Sequence, residues 1–176
     1  NLLLTNELCE KYRKKTDKFI FTNFYMWSKK ELNIIPNIKS KDHDNRKRIP
    51  KGLKIPEILK LKENKYIKEA IVYVNKHFKN NYGNTNNFFL PIDHLTAKKW
   101  LKDFIKNKFK KFGDYQDFIK KDNEFLFHSI LSSSINIGLI NPQDIIEEIK
   151  KHKTKIPINS YEGYIRQLFW REYQRY

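Results

Sequence analysis

The chain has 176 residues, enough for one domain with a buried core, and its formal net charge is +16. Aromatic residues at 15% exclude a disordered chain, and no apolar run approaches the length that spans a membrane. Cys9 is the single cysteine, which excludes an internal disulfide, and the five scattered histidines form no zinc-binding pair, so we predict no metal site. The composition and the lack of a signal-peptide pattern favour a cytoplasmic or nuclear protein over a secreted one.

The positive charge has two interpretations that the sequence leaves open. It indicates a polyanionic partner such as nucleic acid, because clustered basic residues attract phosphates. However, lysine greatly outnumbers arginine, and the chain is also crowded with asparagine and isoleucine. That bias is typical of AT-rich coding, which places lysine at solvent-exposed positions regardless of function.

The first thirty-five residues are predicted to be a remnant of an α/β domain. Residues 5–14 can form a short helix with Thr5 as its N-cap. Lys18–Thr22 is apolar enough for a short strand, and the aromatic residues after it suggest a second helix. Residues 36–63 follow as a linker, because Pro36, Pro50 and Pro56 disfavour helix there.

Residues 64–176 are predicted to be a mainly α-helical domain. Apolar residues at helical spacing indicate one helix at about 66–78 and a longer one that begins near Asp93 and ends at Gly113. Asn141 and Pro142 are typical of a helix start, and that helix is expected to continue to Lys151. Ser160 is predicted to cap a terminal helix.

The terminal segment 161–176 separates into two faces when it is placed on a helix. The apolar face holds Tyr161, Tyr164, Ile165, Leu168, Phe169 and Tyr173. The other residues, mostly off that face, are Arg166, Trp170, Arg171, Gln174 and Arg175. An aromatic ring flanked by guanidinium groups suits stacking on a base while phosphates are held, although an ordinary basic solvent face would have the same pattern.

A second notable segment, residues 112–139, places four serines near a predicted helix start, before a turn at Gly138. They are Ser129, Ser132, Ser133 and Ser134. Hydroxyl and backbone N–H groups in such a place can bind phosphate, and they can equally serve only as helix caps.

Taken together, the two segments resemble the flavin domain of the cryptochrome/photolyase family. That family carries a tyrosine, then T-S-x-L-S-P-x-L-x-x-G-x-[IL]-S, then [EQ]-L-x-W-R-E-[FY]. The counterparts are Tyr115, the run HSILSSSINIG at 128–138 and QLFWREY at 167–173. The chain is more similar still to the iron–sulfur-type prokaryotic photolyase-related proteins, whose recurring phrases match in order at 112–117, 126–132, 135–142, 157–167 and 170–173.

The resemblance implies a helical FAD-binding domain, incomplete at its C-terminus, from an enzyme that repairs pyrimidine dimers in DNA by light-driven electron transfer. The residues it places at FAD are Tyr115, His128, Ser129, Leu131, Ser132 and Arg171. It places Gln167 and Trp170 at an extruded lesion, and Arg166 and Arg175 on the same helix are predicted DNA contacts. It implies no residue of this chain as an iron–sulfur ligand or as a catalytic group.

The sequence departs from the family pattern in ways that keep other hypotheses open. The glycine that precedes W-R-E in the iron–sulfur branch is absent, and Ser133 replaces the proline that usually follows L-S. The cluster cysteines of that branch lie beyond its W-R-E-Y helix, so the resemblance implies a second chain that completes the fold as a further partner. The alternatives are a helical nucleic-acid-binding module that has lost flavin and a cryptochrome-like light sensor.

Overall fold

The computed structural model describes residues 2–62 and 64–176, and within them the chain is helical without a β-strand. The described residues form eight α-helices, which in chain order are α1 Asn6–Arg13, α2 Phe21–Glu31, α3 Lys65–His77, α4 His94–Asn107, α5 Phe109–Tyr115, α6 Ser132–Asn136, α7 Pro142–Lys150 and α8 Ile158–Arg175. Short 3₁₀ helices occupy Asp42–Asn45 and Lys153–Lys155. The predicted mainly α-helical fold is therefore confirmed. Across the described ranges, no helix is both long and apolar enough to cross a membrane.

The N-terminal segment forms the two predicted helices but not the predicted strand. Thr5 caps α1 by accepting a hydrogen bond from the backbone N–H of Leu8 at 3.3 Å. The strand prediction at Lys18–Thr22 is wrong, because α2 begins at Phe21 and no neighbouring strand exists in the described chain to pair with these residues. Phe19 instead packs its ring flat against Tyr173 of α8, with centroids 4.8 Å apart.

The N-terminal helices share one hydrophobic core with the rest of the molecule. Phe24 and Tyr25 of α2 are buried together with Phe169 of α8, and the rings of Tyr25 and Phe169 meet edge to face at 5.5 Å. The core therefore continues across residue 35, where the sequence predicted a domain boundary. The domain boundaries themselves stay predictions.

Residues 36–62, the described part of the predicted linker, follow the surface of the helical core and are anchored to it. The Asn45 side chain is fully buried, and the backbone N–H of Lys47 donates to the carbonyl of Asp114 at 2.9 Å. Further along, Ile49, Leu53 and Ile55 pack against a small second cluster, formed by Tyr115, Leu126 and Phe127. The described residues of this segment contain no α-helix, as its prolines predict, yet the segment is part of the packed structure.

Gly113 does not end a helix, contrary to the sequence prediction. The break lies at Lys108, between α4 and α5, and Gly113 is inside α5. A Cβ added at Gly113 would lie 2.4 Å from the backbone nitrogen of Ser160, a distance that real Cβ contacts do not reach. The glycine is thus required where α5 crosses α8 most closely.

The terminal helix α8 is the centre of the fold and packs against α2, α5 and α7. Its predicted apolar face is confirmed for five of its six residues, which are at most 5% exposed, whereas Tyr173 is half-buried. Ser160 does not cap it, because the helix begins at Ile158, two residues earlier. The Ser160 hydroxyl instead accepts from the N–H of Gly113 at 2.8 Å, joining α8 to α5.

Candidate functional site

A groove runs between the serine-rich loop 128–132 and one face of α8. It consists of two adjacent cavities of about 400 Å³ and about 590 Å³. Both cavities are lined by Ser129, Leu131, Ser132, Tyr164 and Gln167, so they share a wall. Cavities of this size are typical of small-molecule and cofactor sites. We call the two together the serine-loop groove.

The loop that forms one wall of the groove is held in an unusual conformation. Ile130 has a φ of 56°, in a region that β-branched residues rarely adopt. The residues on either side of Ile130 are both held in place. Leu131 is buried, and the Trp100 indole N–H donates to the Ser129 carbonyl at 2.9 Å. Backbone strain of this kind persists only where the surroundings enforce it, and it concentrates at functional sites.

Tyr164 of α8 fixes the Ser129 side chain from the other side of the groove. Its hydroxyl donates to Ser129 Oγ at 3.0 Å. Burial raises the pKa of Tyr164 to about 12, so the hydroxyl keeps its proton at neutral pH and stays a donor. Sequence reasoning missed this residue because its position on the apolar stripe made it look like core.

The other wall of the groove is a row of α8 side chains three and four residues apart. Gln167, Trp170, Arg171 and Gln174 all line the larger cavity. The indole of Trp170 stacks on the ring of Phe21, with centroids 3.5 Å apart and planes 11° from parallel. Phe21 therefore covers one face of the indole and fixes its orientation. Local sequence patterns do not indicate this contact, since Phe21 lies almost 150 residues earlier in the chain.

The half-buried Arg171 is oriented by two side chains, Asn136 of α6 and the adjacent Glu172 of α8. Its Nε donates to Asn136 Oδ1 at 3.2 Å, and its Nη1 lies 3.4 Å from Glu172 Oε1. Glu172 is fully buried, and burial raises the pKa of its carboxyl even though the backbone N–H groups of Leu3 and Leu4 donate to it. The guanidinium of Arg171 is thus held at the edge of the groove, where it can meet an anionic group.

His128 lines the smaller cavity, and its ring is neutral at physiological pH. Burial, reinforced by the positive charge of Lys108, lowers the pKa of the imidazole, and the charge of Asp117 opposes this only in part. The ring meets Phe112 edge to face at 5.9 Å. A neutral imidazole offers one donor and one acceptor to a bound ligand.

The structure brings most of the sequence-predicted site residues together. Seven of the ten line the serine-loop groove, namely His128, Ser129, Leu131, Ser132, Gln167, Trp170 and Arg171. Tyr115 lies outside it in the second apolar cluster, with its ring 5.3 Å from that of Phe127. Arg175 is exposed at the end of α8.

Arg166 is also outside the groove, and it is buried rather than presented to solvent. Its Nη1 lies 2.9 Å from Asp42, and its Nε lies 3.3 Å from Glu162. Glu162 is fully buried and also accepts from the Tyr25 hydroxyl at 2.8 Å and from the backbone N–H of Lys41 at 3.0 Å. The side chain thus joins α8 to the 36–62 segment.

The polar groups of the groove suit an organic ligand that carries phosphate. Serine hydroxyls, amide groups and one guanidinium face a wall of apolar and aromatic side chains, which is the usual composition of a cofactor site. Within residues 2–62 and 64–176, no three side chains of the metal-binding types lie close enough to hold an ion. The hydroxyl, amide and guanidinium groups of the groove are of the types that can hold a phosphate-bearing cofactor.

Comparison with known proteins finds a matching family model and named relatives. A family model described as deoxyribodipyrimidine photo-lyase-related protein matches residues 1–90. The chain is 34% identical to a (6-4) photolyase of Agrobacterium fabrum over 137 residues, which is 76% of this chain and 27% of that relative. It is 28% identical to a deoxyribodipyrimidine photo-lyase of Buchnera aphidicola over 98% of its own length and 31% of that relative. The chain thus spans about a third or less of the length of both relatives.

Proposed function

Because this chain belongs to the deoxyribodipyrimidine photo-lyase-related protein family, we propose that it supplies part of the flavin pocket and the lesion-facing helix of a photolyase-like protein. The observation that carries the proposal is the convergence of two distant segments at one groove. The serine-rich loop and the Gln167–Arg171 face of α8 form its two walls, and they are the segments that resemble the family's flavin and lesion motifs.

In this proposal the loop holds FAD through Ser129, Ser132 and the neighbouring backbone. Tyr164 keeps the Ser129 hydroxyl in place, so the loop is pre-organised and little ordering is needed on binding. Arg171 meets the negative charge of the pyrophosphate, and Asn136 orients its guanidinium. The neutral His128 adds a hydrogen-bonding group without adding a positive charge.

FAD, when bound, would supply light-driven electron transfer to a pyrimidine lesion in DNA. The task of this chain is then to hold the cofactor and to receive the flipped base. Trp170 offers an aromatic surface to that base, and Phe21 supports the indole from behind. Gln167 lies one turn earlier on the same face of α8 and can hydrogen-bond to the base edge.

A second candidate function is nucleic-acid binding without a flavin, and the charge of +16 favours it. Arg175 is exposed and can contact phosphate, so this module would bind DNA in a salt-dependent way. A third candidate, a light-sensing protein of the cryptochrome type, would bind flavin without preferring damaged DNA. The three candidates differ in two measurable properties, flavin binding and lesion preference.

The experiment is an affinity measurement on matched oligonucleotides with and without one pyrimidine dimer, using the FAD-supplemented chain. We expect the damaged oligonucleotide to bind at least tenfold more tightly, and Trp170→Ala to remove that preference while salt-dependent binding persists. Arg175→Ala is the matched control, because loss of a phosphate contact weakens binding to both oligonucleotides equally.

Equal affinity for the two oligonucleotides would contradict the proposed lesion-binding role. If FAD bound in that case, a light sensor would be favoured. If FAD did not bind, the nucleic-acid module would be favoured.

A further inference from the structure

Helix α3 exposes apolar side chains along its whole length. None of its 13 residues is buried, although Tyr66, Ile67, Ala70, Ile71 and Val74 recur at helical spacing on one face. Tyr66 is 62% exposed. A helix this short is marginal in water without packing. The described part of the chain therefore leaves this face incompletely covered.

The apolar face of α3 forms one wall of a concave site, which we call the α3 cleft. Its second wall comes from the following segment, where Phe88 and Ile92 face the helix across a cavity of about 310 Å³. The two walls are joined by a hydrogen bond of 2.9 Å from the Thr85 hydroxyl to Asn75 of α3. The second wall is in turn anchored to the domain, because Phe89 packs edge to face on Phe125 at 5.4 Å.

The charge of the segment that forms the cleft indicates what can occupy it. Residues 64–92, which supply both walls, contain four lysines and one glutamate, and the whole chain carries +16. A second copy would bring like charge against like charge, which opposes self-association. An acidic partner is attracted instead. Acidic residues around an apolar contact raise the association rate and fix how the two partners align.

The shape of the cleft favours a polypeptide over a membrane surface. Phe88 is 48% exposed and stands opposite the helix, so the site is a groove between two walls instead of a flat apolar face. Amphipathic helices dock their apolar side chains into grooves of this kind. A lipid surface would meet α3 alone and would leave the second wall without a role.

We propose that the α3 cleft binds an acidic amphipathic helix of a partner polypeptide. The partner inserts apolar side chains between α3 and Phe88, and its acidic residues face the lysines near the cleft. This inference goes beyond flavin binding, since the cleft and the serine-loop groove share no lining residue. Each can therefore fail without the other.

The test uses a fluorescent 18-residue peptide with leucine and phenylalanine on one helical face and glutamate elsewhere, followed by anisotropy with the full chain. The control peptide has the same composition in scrambled order. We compare Ala70→Arg, which fills the cleft, with Val72→Arg as its control. Val72 is on the same helix, is 68% exposed and does not line the cleft. Both variants add one positive charge, so electrostatic attraction alone would strengthen the binding of the acidic peptide to each of them.

We expect the scrambled peptide to bind the wild-type chain at least tenfold more weakly than the amphipathic one. We also expect Ala70→Arg to weaken the amphipathic peptide at least tenfold and Val72→Arg to leave it within twofold. Equal binding by the two variants would overturn the proposal, because charge alone would then explain the affinity. Two other outcomes would also overturn it. One is a dimer in sedimentation that Ala70→Arg abolishes. The other is binding to phosphatidylglycerol vesicles that Ala70→Arg abolishes, while the peptide binds neither the variants nor the wild-type chain.

Discussion

Tyr164 shows how one side chain can serve the core and the candidate site together. Its ring meets Phe104, Phe109 and Phe112 of the core, while its hydroxyl holds Ser129 in the groove. Because burial raises the pKa to about 12, its contribution to stability is fully present below the ordinary tyrosine pKa of about 10 and is lost as pH rises through about 12. The contact is therefore intact over the physiological range.

Replacing Tyr164 with phenylalanine tests this contact at the scale of one atom. We expect a loss of about 1 kcal/mol in the free energy of unfolding and a drop of roughly fivefold in FAD affinity, because the Ser129 hydroxyl loses its donor. The measurements are denaturant unfolding and flavin titration. Tyr161→Phe is the matched control, a buried tyrosine on the same helix that does not line the groove. Equal FAD affinities in the two variants would contradict the assigned role of Tyr164.

At the scale of elements, α8 is fixed by polar contacts on several sides. The buried Glu162 and Arg166 tie it to α2 and the 36–62 segment, and Ser160 ties it to α5 where Gly113 allows close approach. Glu172 ties it to the N-terminal residues through two backbone N–H groups. These contacts hold the groove face of α8 against the serine-rich loop.

Arg166→Ala tests whether polar contacts fix α8 in place. The sequence predicts Arg166 to be a DNA contact, but in the structure its side chain is buried. We expect the variant to lose about 3 kcal/mol of unfolding free energy, since it leaves the buried Glu162 without its cation. Arg175→Ala, at the exposed end of the same helix, should change stability by no more than about 0.5 kcal/mol. Thermal and denaturant unfolding provide the comparison. Similar stabilities for the two variants would show that the Arg166 ion pairs do not hold α8.

At the scale of the whole molecule, the sequence predicted most of the helices, and seven of its ten candidate site residues line the groove. It did not indicate which residues lie beside them in space. The 3.6-residue periodicity identified the apolar face of α8, since burial there follows local spacing. Arg166 was misread because its acidic partner Asp42 is 124 positions away, and Phe21 was missed for the same kind of reason. The predicted strand failed because the packing of Phe19 and Phe21 on α8 overrode local β propensity.

The charge of the whole chain does not by itself decide between flavin-dependent and flavin-free function, since both candidates attract phosphate. What distinguishes them is the groove, where hydroxyl, amide and guanidinium groups converge beside an aromatic wall. The central claim is therefore that this groove binds FAD.

Titration of FAD into the chain, followed by quenching of flavin fluorescence, tests that claim most directly. The comparison is Ser132→Trp, which places a large ring in the groove at an exposed position, with His43→Trp as a control at an exposed site outside it. The account predicts saturable binding for the wild-type chain and the control, and at least tenfold weaker binding for Ser132→Trp. Equal binding by all three proteins, or no saturable binding by the wild-type chain, would contradict it.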